Sequence, residues 1–469
     1  MKISRLSEAR KVILILAVIC FGVSGCSTPA PQENTIKVLP VTGRGYTAVK
    51  DQIKLVSGIK PEMTDSDFWV KRLKDPDELI MTGDEIIAYN QKIVEDMPEV
   101  YDLNAYSSSL DKEELTGFIN EYELPDSDMY GSDGRVLARD FFDQISANID
   151  MAGIETSNPV LYGITVRKCN LRTFPTDAVV YNSAANRLDR FQETACNLGE
   201  PMLILHESKD KEWAFVQLYN YRGWLKREDI AVAADKKQLF DYTEAKDFVI
   251  AVDHCVIEDT DSKEEIKLFM GTKMQLLEEG KDYYKVAVPK RDGQGKLVLS
   301  DLYVARTEHL SKGYLDYTRS NIIRQAFKLQ GTAYDWGGKA DGYDCSSYIM
   351  SIYRTMGIRL ARNAGQQSRT PGNETAFYGS DPMEQRLKKL EALQPGAVLY
   401  RPGHTMLYLG SFEGEQYIIH DFMGYSKDTG TGMQHVQVYA VAVSPISMID
   451  DYGSPYLMKL TSALEFKPN

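Results

Sequence analysis

The hydrophobic pattern of the chain is helical in its first third. Between residues 60 and 152, apolar residues recur three or four positions apart, as Ile86, Tyr89 and Ile93 do. This spacing places apolar side chains on one face of a helix. We therefore predict a mainly helical segment over residues 60–152.

Alternation of apolar and polar positions replaces this pattern from residue 153 to residue 313. Short alternating segments, such as 212–217 and 282–288, are separated by Gly, Asn and Asp. Alternation indicates strands with one buried face, and regularly spaced turns indicate small barrels. We predict two SH3-like β-barrels, over residues 153–236 and 237–313.

Helical spacing returns in the last third of the chain and is followed by strands. Residues 319–330 have a helical pattern, and a second helix, with apolar positions three and four apart, begins at Cys345. Strand-like segments then run to residue 444. Helices and strands in separate blocks predict an α+β domain over residues 314–469.

The N-terminus has the features of an export signal. A basic start is followed by an uncharged apolar run over residues 12–23, too short for the ~20 residues that span a bilayer. The run ends in Val-Ser-Gly-Cys at Cys26, which is similar to the lipobox of bacterial lipoproteins. We predict a signal peptide over residues 1–25, a lipid on Cys26 that anchors an exported protein to a bacterial membrane, and a tether to residue 59. The alternative is a plain secretory signal with an incidental cysteine.

Charge and the remaining cysteines and histidines narrow the function further. The formal net charge is −13, which repels phosphate backbones and disfavours nucleic acid as a partner. Histidines elsewhere in the chain lack metal-ligand spacing, so we expect no metal and no cofactor. Cys169 and Cys196 are either a disulfide or two separate buried thiols.

The residues that carry chemistry lie in the last domain. Cys345 follows a glycine-rich loop and opens a helix, where unpaired N–H groups and the macrodipole favour the thiolate. One strand begins at His404 and a second ends at His420. A hairpin loop over residues 411–413 would place His420 directly opposite His404, where it would orient that imidazole.

These segments resemble the NlpC-type cell-wall peptidases of the NlpC/p60 superfamily, which have a papain-like α+β fold. The resemblance rests on Tyr-x-Trp-Gly-Gly from Tyr334, Asp-Cys-Ser-Ser from Asp344, Gly-His-Thr-Met-Leu-Tyr-Leu-Gly from Gly403, and Ile-His at His420. Upstream, the sequence is similar to members with a helical N-terminal segment and two bacterial SH3 domains.

The resemblance implies hydrolysis of the amide between γ-D-glutamate and a diamino acid in peptidoglycan stem peptides or muropeptides, often with a free N-terminal L-alanine. In that mechanism Cys345 attacks the carbonyl, His404 carries the proton and His420 orients His404. Tyr334 and the Cys345 N–H hold the oxyanion.

The resemblance also implies a substrate-binding set. Asp344 and Ser346 would bind the α-ammonium and backbone of the substrate, and Glu200 and Tyr221 of the first SH3 domain would close the groove. The sequence departs from the family at Ala397 and at 363–364, where relatives have Asp and Asp-Ser.

Two other functions use the same features. A wall-binding lipoprotein would rely on its SH3 domains and keep the peptidase fold without activity. An amidase or acyltransferase would use the same thiol for a different acyl transfer. The intact Cys345, His404 and His420 favour the peptidase.

Overall fold

A computed structural model describes residues 36–43, 53, 55–185, 188–451 and 453–468. The predicted signal peptide and the predicted lipidation site Cys26 lie outside the described residues. Within the described part of the chain, no helix is both long and apolar enough to cross a membrane. Val38–Asn469 form one compact unit.

The N-terminal part of this unit is mainly helical. The stripe predicted from the sequence is buried at Ile86, Tyr89 and Ile93, and Thr82 caps the helix that carries it. This helix packs on the last domain, where Asn90 Nδ2 donates a 2.7 Å hydrogen bond to the Gly357 carbonyl. The elements of this part are β1 (Val41–Thr42), α1 (Ser66–Val70), β2 (Leu79–Met81), α2 (Gly83–Asp96), β3 (Ser109–Asp111), α3 (Lys112–Ile119), α4 (Arg139–Ile149) and β4 (Ser157–Pro159), with two short 3-10 helices at Pro61–Thr64 and Met151–Gly153.

A seven-stranded antiparallel sheet follows, in the order β11-β5-β8-β9-β10-β6-β7. Trp213 and Trp224 are 4% and 1% exposed and belong to the large apolar cluster that the sheet shares with the helical segment and the last domain. Cys169 and Cys196 face each other across β6 and β7 as free thiols, so they do not form a disulfide. The strands are β5 (Leu161–Thr165), β6 (Cys169–Arg172), β7 (Gln192–Cys196), β8 (Pro201–Glu207), β9 (Trp213–Gln217), β10 (Arg222–Lys226) and β11 (Ile230–Val232), with a 3-10 helix at Arg227–Asp229.

A second block of strands begins after helix α5 (Lys236–Thr243). Five strands pair in the order β17-β16-β15-β12-β18, and β13 pairs with both β1 and β14 in a separate small sheet. The assignment of this block as a second SH3 domain remains a prediction. Its strands are β12 (Phe248–Ala251), β13 (Cys255–Glu258), β14 (Glu265–Leu268), β15 (Lys273–Glu279), β16 (Tyr283–Arg291), β17 (Leu297–Ala305) and β18 (Leu310–Lys312).

The last domain is α+β, as predicted. A six-stranded sheet in the order β20-β25-β21-β22-β23-β24 packs against the helix that begins at Cys345. Its elements are β19 (Tyr317–Thr318), α6 (Arg319–Lys328), a 3-10 turn (Trp336–Gly338), α7 (Cys345–Arg354), α8 (Ala364–Gln367), β20 (Asn373–Ala376), α9 (Met383–Glu391), β21 (Val398–Arg401), β22 (His404–Phe412), β23 (Glu415–Asp428), β24 (Met433–Pro445), α10 (Tyr456–Lys459) and β25 (Ser462–Glu465).

The predicted register of the β22–β23 hairpin is wrong. Phe412 pairs with Glu415, so the turn is Glu413-Gly414, and a bulge at Leu409 shifts the ladder so that Leu407 pairs with Ile419. When this register is continued along the two strands, the residue of β22 that lies opposite His420 is two positions from His404. The two histidines remain on one face as diagonal neighbours, because two positions along a strand restore the side-chain direction.

Candidate active site

Cys345 occupies the first position of α7, as the sequence predicted. Asp344 is the N-cap: its Oδ1 accepts the Ser347 N–H at 2.9 Å, and Ser347 Oγ accepts the Asp344 N–H at 2.9 Å. This reciprocal pair satisfies two N–H groups at the helix start. It therefore fixes the backbone that presents the thiol.

His404, His420 and Ser444 form a buried chain of hydrogen bonds. His404 Nε2 lies 2.7 Å from His420 Nδ1, and His420 Nε2 lies 2.7 Å from Ser444 Oγ. If His404 is to take a proton at Nδ1, its Nε2 must carry the hydrogen and donate it to His420, which then donates to Ser444. In this arrangement His404 Nδ1 is the nitrogen that accepts a proton. Ser444 was not identified from the sequence.

The thiol lies beside the strand that carries His404. The backbone N–H of Thr405, the next residue, forms a hydrogen bond to Cys345, which favours its thiolate. The backbone N–H of Tyr334 donates to the Tyr439 carbonyl at 3.0 Å. Burial, with a smaller contribution from the negative charge of Asp344, raises the pKa of the Tyr334 hydroxyl, so it remains a hydrogen-bond donor.

The thiolate expected from the sequence is not the resting form. Burial, with the charge of Asp344, raises the pKa of Cys345 to about 12. Burial, with the positive charge of Arg401, lowers the pKa of His404 to about 3. Desolvation opposes the charged forms of both groups, and for Cys345 it outweighs the stabilisation of the thiolate at the helix start. The Cys345 thiol and the His404 imidazole are therefore both neutral at pH 7.

Asp344 and Ser346 are held by Arg362. Its Nη2 donates to Asp344 Oδ2 at 2.6 Å, and its Nη1 donates to Asp344 Oδ1 at 3.2 Å and to Ser346 Oγ at 2.8 Å. Burial opposes ionisation of Asp344, but the Arg362 charge and these bonds keep the pKa of the carboxyl below its ordinary value. Asp344 is therefore an anion. The oxygens that are predicted to bind the substrate also accept hydrogen bonds from Arg362.

The first barrel adds its own side chains to this cluster. Tyr221 Oη donates to Glu193 Oε2 at 2.5 Å, and Arg362 Nε donates to Thr194 Oγ1 at 2.6 Å. Glu193 and Thr194 lie on β7, and Tyr221 directly precedes β10. The first barrel thus contacts Arg362, the side chain that holds Asp344.

The acid that faces Tyr221 is Glu193, and the prediction of Glu200 is wrong in this respect. Glu200 forms an ion pair with Arg354, the last residue of α7 and the opposite end of that helix from Cys345. Glu200 was chosen for its place in a Gly-Glu-Pro motif. β7 and β10 both pair with β6, which lies between them, and this strand order brings Glu193 to Tyr221. No local sequence pattern indicates this order.

A further acid, Asp421, follows His420 in the core of the domain. Its side chain is fully buried, and neither carboxyl oxygen has a hydrogen-bond partner among the described residues. Burial, with the charges of Asp344 and Asp335, raises its pKa well above the ordinary value. Burial thus favours the protonated form of Asp421, whereas Arg362 favours the ionised form of Asp344. No sequence pattern marks Asp421 as a site residue.

Comparisons with known proteins agree with this geometry. Residues 331–441 match the NlpC/P60 family, and residues 183–226 match an SH3 domain of the SH3b1 type. Dipeptidyl-peptidase 6 of Lysinibacillus sphaericus is 25% identical over 225 residues, which are 45% of this chain and 74% of that protein. Gamma-D-glutamyl-L-lysine dipeptidyl-peptidase of Bacillus subtilis is 24% identical over 191 residues, 39% of this chain and 59% of that protein.

A solved structure shares the fold. An NlpC/P60 endopeptidase from Photobacterium damselae subsp. piscicida superposes with a TM-score of 0.71 at 19% identity, over 89% of this chain and 100% of that one. A cysteine at a helix start beside a histidine strand, in a chain with these matches, is the arrangement of a thiol peptidase. The chain therefore contains an NlpC/P60 cysteine peptidase domain that follows an SH3b1-type domain.

Proposed function

We propose that this protein hydrolyses the amide between γ-D-glutamate and a diamino acid in peptidoglycan stem peptides that have a free N-terminal L-alanine. The observation that carries the proposal is Cys345 at the start of α7 beside the chain of His404, His420 and Ser444. The name of the Bacillus subtilis relative, which refers to γ-D-glutamyl-L-lysine, supports the choice of bond.

The reaction begins with transfer of the thiol proton. His404 Nδ1 accepts the proton of Cys345 as the sulfur attacks the carbonyl carbon of the scissile amide. The two charges that form stabilise each other, which offsets the cost of burying each one alone. The Cys345 N–H and the Tyr334 hydroxyl donate to the oxyanion.

His404 then gives the proton to the leaving amine, and the C–N bond breaks to leave a thioester on Cys345. A water molecule attacks this thioester while His404 takes one of its protons. The second tetrahedral intermediate collapses, the glutamyl carboxylate leaves, and the proton returns to the sulfur. His420 and Ser444 hold the imidazole in the required tautomer through both steps.

Selectivity for a free amine comes from the wall of the first barrel. An α-ammonium can bind between the Glu193 and Asp344 carboxylates. An acylated nitrogen is neutral, so it cannot form ion pairs with these carboxylates. Tyr221 limits the length of this end of the pocket. A stem still joined to glycan through its L-alanine amine is therefore a poor substrate.

The test is hydrolysis of L-Ala-γ-D-Glu-diaminopimelate and of its N-acetylated form by the purified protein. We expect release of diaminopimelate from the free-amine peptide only, and a loss of at least ~1,000-fold in the Cys345→Ala variant. Glu193→Gln should raise KM for the free-amine peptide by roughly 10-fold or more, since one partner of the ammonium is lost. Glu200→Gln is the matched control and should leave that KM unchanged.

Two results would count against the proposal. The first is that the wild type releases no diaminopimelate while muropeptides still bind to the Cys345→Ala variant. This result would favour a non-catalytic wall-binding protein. Equal turnover of the acetylated peptide would contradict the role of the barrel acids.

We also propose that the protein is exported and held at a bacterial membrane by a lipid on Cys26. The supporting observation is the sequence before Cys26, which lies outside the described residues. Expression with a labelled fatty acid should label the wild type, and Cys26→Ala should abolish the label. A labelled Cys26→Ala protein would refute the anchor.

A further inference from the structure

Asp421 lies in β23 immediately after His420, but its side chain is on the opposite face of the sheet. Successive residues of a strand point to opposite faces. When the pairing of Leu407 with Ile419 is continued along the two strands, Asp421 stands directly opposite Thr405. Thr405 is the residue whose backbone N–H forms a hydrogen bond to the thiol. The mechanism proposed above gives Asp421 no task.

No described residue stabilises a negative charge on the Asp421 carboxyl. The side chain is fully buried, and neither oxygen accepts a hydrogen bond within the described part of the chain. The charged neighbours that act on it, Asp344 and Asp335, are both acids. The residues opposite it on the adjacent strands, Thr405 of β22 and Val441 of β24, do not titrate. A buried carboxyl in such surroundings keeps its proton, because an isolated buried charge is far more costly than the neutral acid.

A charge on this carboxyl would act on the catalytic centre. Burial is the main cause of the raised pKa of Cys345 and of Tyr334, and a negative charge on Asp421 adds to it at both groups. Burial and the same charge also raise the pKa of Tyr348, which lies one turn after Cys345 on α7. An ionised Asp421 would therefore oppose the negative charge that the reaction forms on the sulfur and then on the oxyanion.

We propose that Asp421 controls the reactivity of Cys345: the protonated carboxyl permits formation of the thiolate, and ionisation of the carboxyl suppresses it. This inference rests on the proposed function, because Cys345 is its nucleophile, and it adds regulation of the same site by pH. Ionisation of Asp421 places a further negative charge near Asp344, which Arg362 already holds as an anion. The wild type should therefore lose activity in alkaline solution in a way that a protein without this acid does not.

The test compares Asp421→Asn with the wild type, since asparagine has nearly the same size and cannot ionise. The first readout is kcat/KM for L-Ala-γ-D-Glu-diaminopimelate, and the second is the rate of alkylation of Cys345 by iodoacetamide, each from pH 5 to pH 10. Asp229→Asn is the matched control. Asp229 is also a buried acid whose pKa is raised by burial, but it lies in the first barrel and pairs with Arg167.

We expect the ratio of the Asp421→Asn rate to the wild-type rate to rise with pH in both readouts. The rise should be about 10-fold or more, which corresponds to one pKa unit of the thiol. The ratios for Asp229→Asn should not depend on pH, so a general effect of a lost buried acid would be recognised. Ratios for Asp421→Asn that stay constant from pH 5 to pH 10 would overturn the proposal.

Infrared difference spectra between the wild type and Asp421→Asn show the state of the carboxyl directly. They should contain the band of a protonated carboxyl at pH 5, and the band should disappear over the pH range in which the rate ratios rise. A carboxylate band at pH 5 would refute the proposal. Asp421→Ser, which also lacks an ionisable group, replaces the asparagine variant if that variant does not fold.

Alkylation needs no substrate, so it separates this proposal from the proposed function. A rising alkylation ratio in a protein that does not cut the peptide would keep the control of Cys345 by Asp421 while the proposed function fails. Hydrolysis of the peptide with two constant ratios would keep the proposed function and refute the control by Asp421.

Discussion

Burial controls the chemistry of the individual residues in this site. Cys345 and His404 are each 8% exposed, and desolvation keeps both of them neutral. The position of Cys345 at a helix start favours its thiolate, but the dipole of one helix end contributes less than burial removes. The proton therefore moves during the attack rather than before it.

A neutral resting thiol predicts slow alkylation. Iodoacetamide should modify Cys345 of the folded protein at pH 7 at least ~100-fold more slowly than a free thiol of pKa ≈ 8.5. The rate should rise with pH without a plateau below pH 9, measured by mass spectrometry of the Cys345 peptide. Cys255, buried with a pKa raised to about 12 by desolvation, is an internal reference. A plateau reached below pH 7 would show a thiolate at rest and contradict this assignment.

The buried carboxyl of Asp421 predicts a pH-dependent stability. Because burial raises its pKa in the folded state, the folded protein keeps a proton that the unfolded chain releases above about pH 4. Its contribution is therefore present at low pH and is lost as the pH rises through the folded pKa. Asp421→Asn, which cannot ionise, should therefore gain unfolding free energy relative to the wild type as the pH rises above about 4, measured by urea unfolding at a series of pH values. If the difference in unfolding free energy between the two proteins does not change with pH, ionisation of Asp421 does not affect the stability.

Among the elements, the β22–β23 hairpin has the greatest effect on the site. The bulge at Leu409 turns the predicted direct pair of His404 and His420 into a diagonal one, while the hydrogen bond between them is made. Gly410, next to the bulge, has a φ of 104°. A side chain there is strained whatever the surrounding space.

Gly410→Ala should therefore cost about 1–3 kcal/mol of stability and reduce kcat, because relief of the strain moves β22 relative to His420. Gly414→Ala is the matched control. It has a φ of 83° in the turn of the same hairpin and open space around its Cβ, so it should lose stability and keep kcat. Thermal unfolding and steady-state kinetics separate the two effects. Equal kcat values for both variants would show that the bulge does not determine the arrangement of the two histidines.

The whole molecule assembles the cleft from more than the peptidase domain. Gln192 Nε2 of the first barrel donates to the Gly337 carbonyl at 3.3 Å, and β7 supplies Glu193 and Thr194. From the second block of strands, His254 Nε2 lies 2.7 Å from Tyr343 Oη, two residues before Cys345. The loop that precedes the nucleophile is thus clamped by both neighbours.

The His254 clamp predicts loss of stability in acid. Burial and the charge of Lys168 lower the pKa of His254 to about 3, so its contribution is present above the unfolded pKa of about 6.5 and is lost as the pH falls toward 3. Between pH 7 and pH 5 this histidine should account for roughly 2 kcal/mol of the decline. His254→Gln should show a shallower decline of unfolding free energy over that interval. A decline as steep as that of the wild type would remove His254 as a source of the acid sensitivity.

Short-range patterns were sufficient for much of this protein. The glycine-rich loop before Cys345, the apolar stripe of α7 and the alternation of β22 depend on residues within a few positions of each other, so they predicted the helix that begins at Cys345, the strand that begins at His404 and the α+β class. The contact of His404 with His420 was also predicted, although its register was not, because a bulge depends on the packing of the whole sheet.

Long-range structure decided the rest. The order of strands in the first barrel makes Glu193 rather than Glu200 the acid at the pocket, and it places Thr194 against Arg362. Burial depth decides that Cys345 and His404 are neutral, and it favours the protonated form of Asp421. Neither strand order nor desolvation has a local signature, since both arise only when segments distant along the chain pack together.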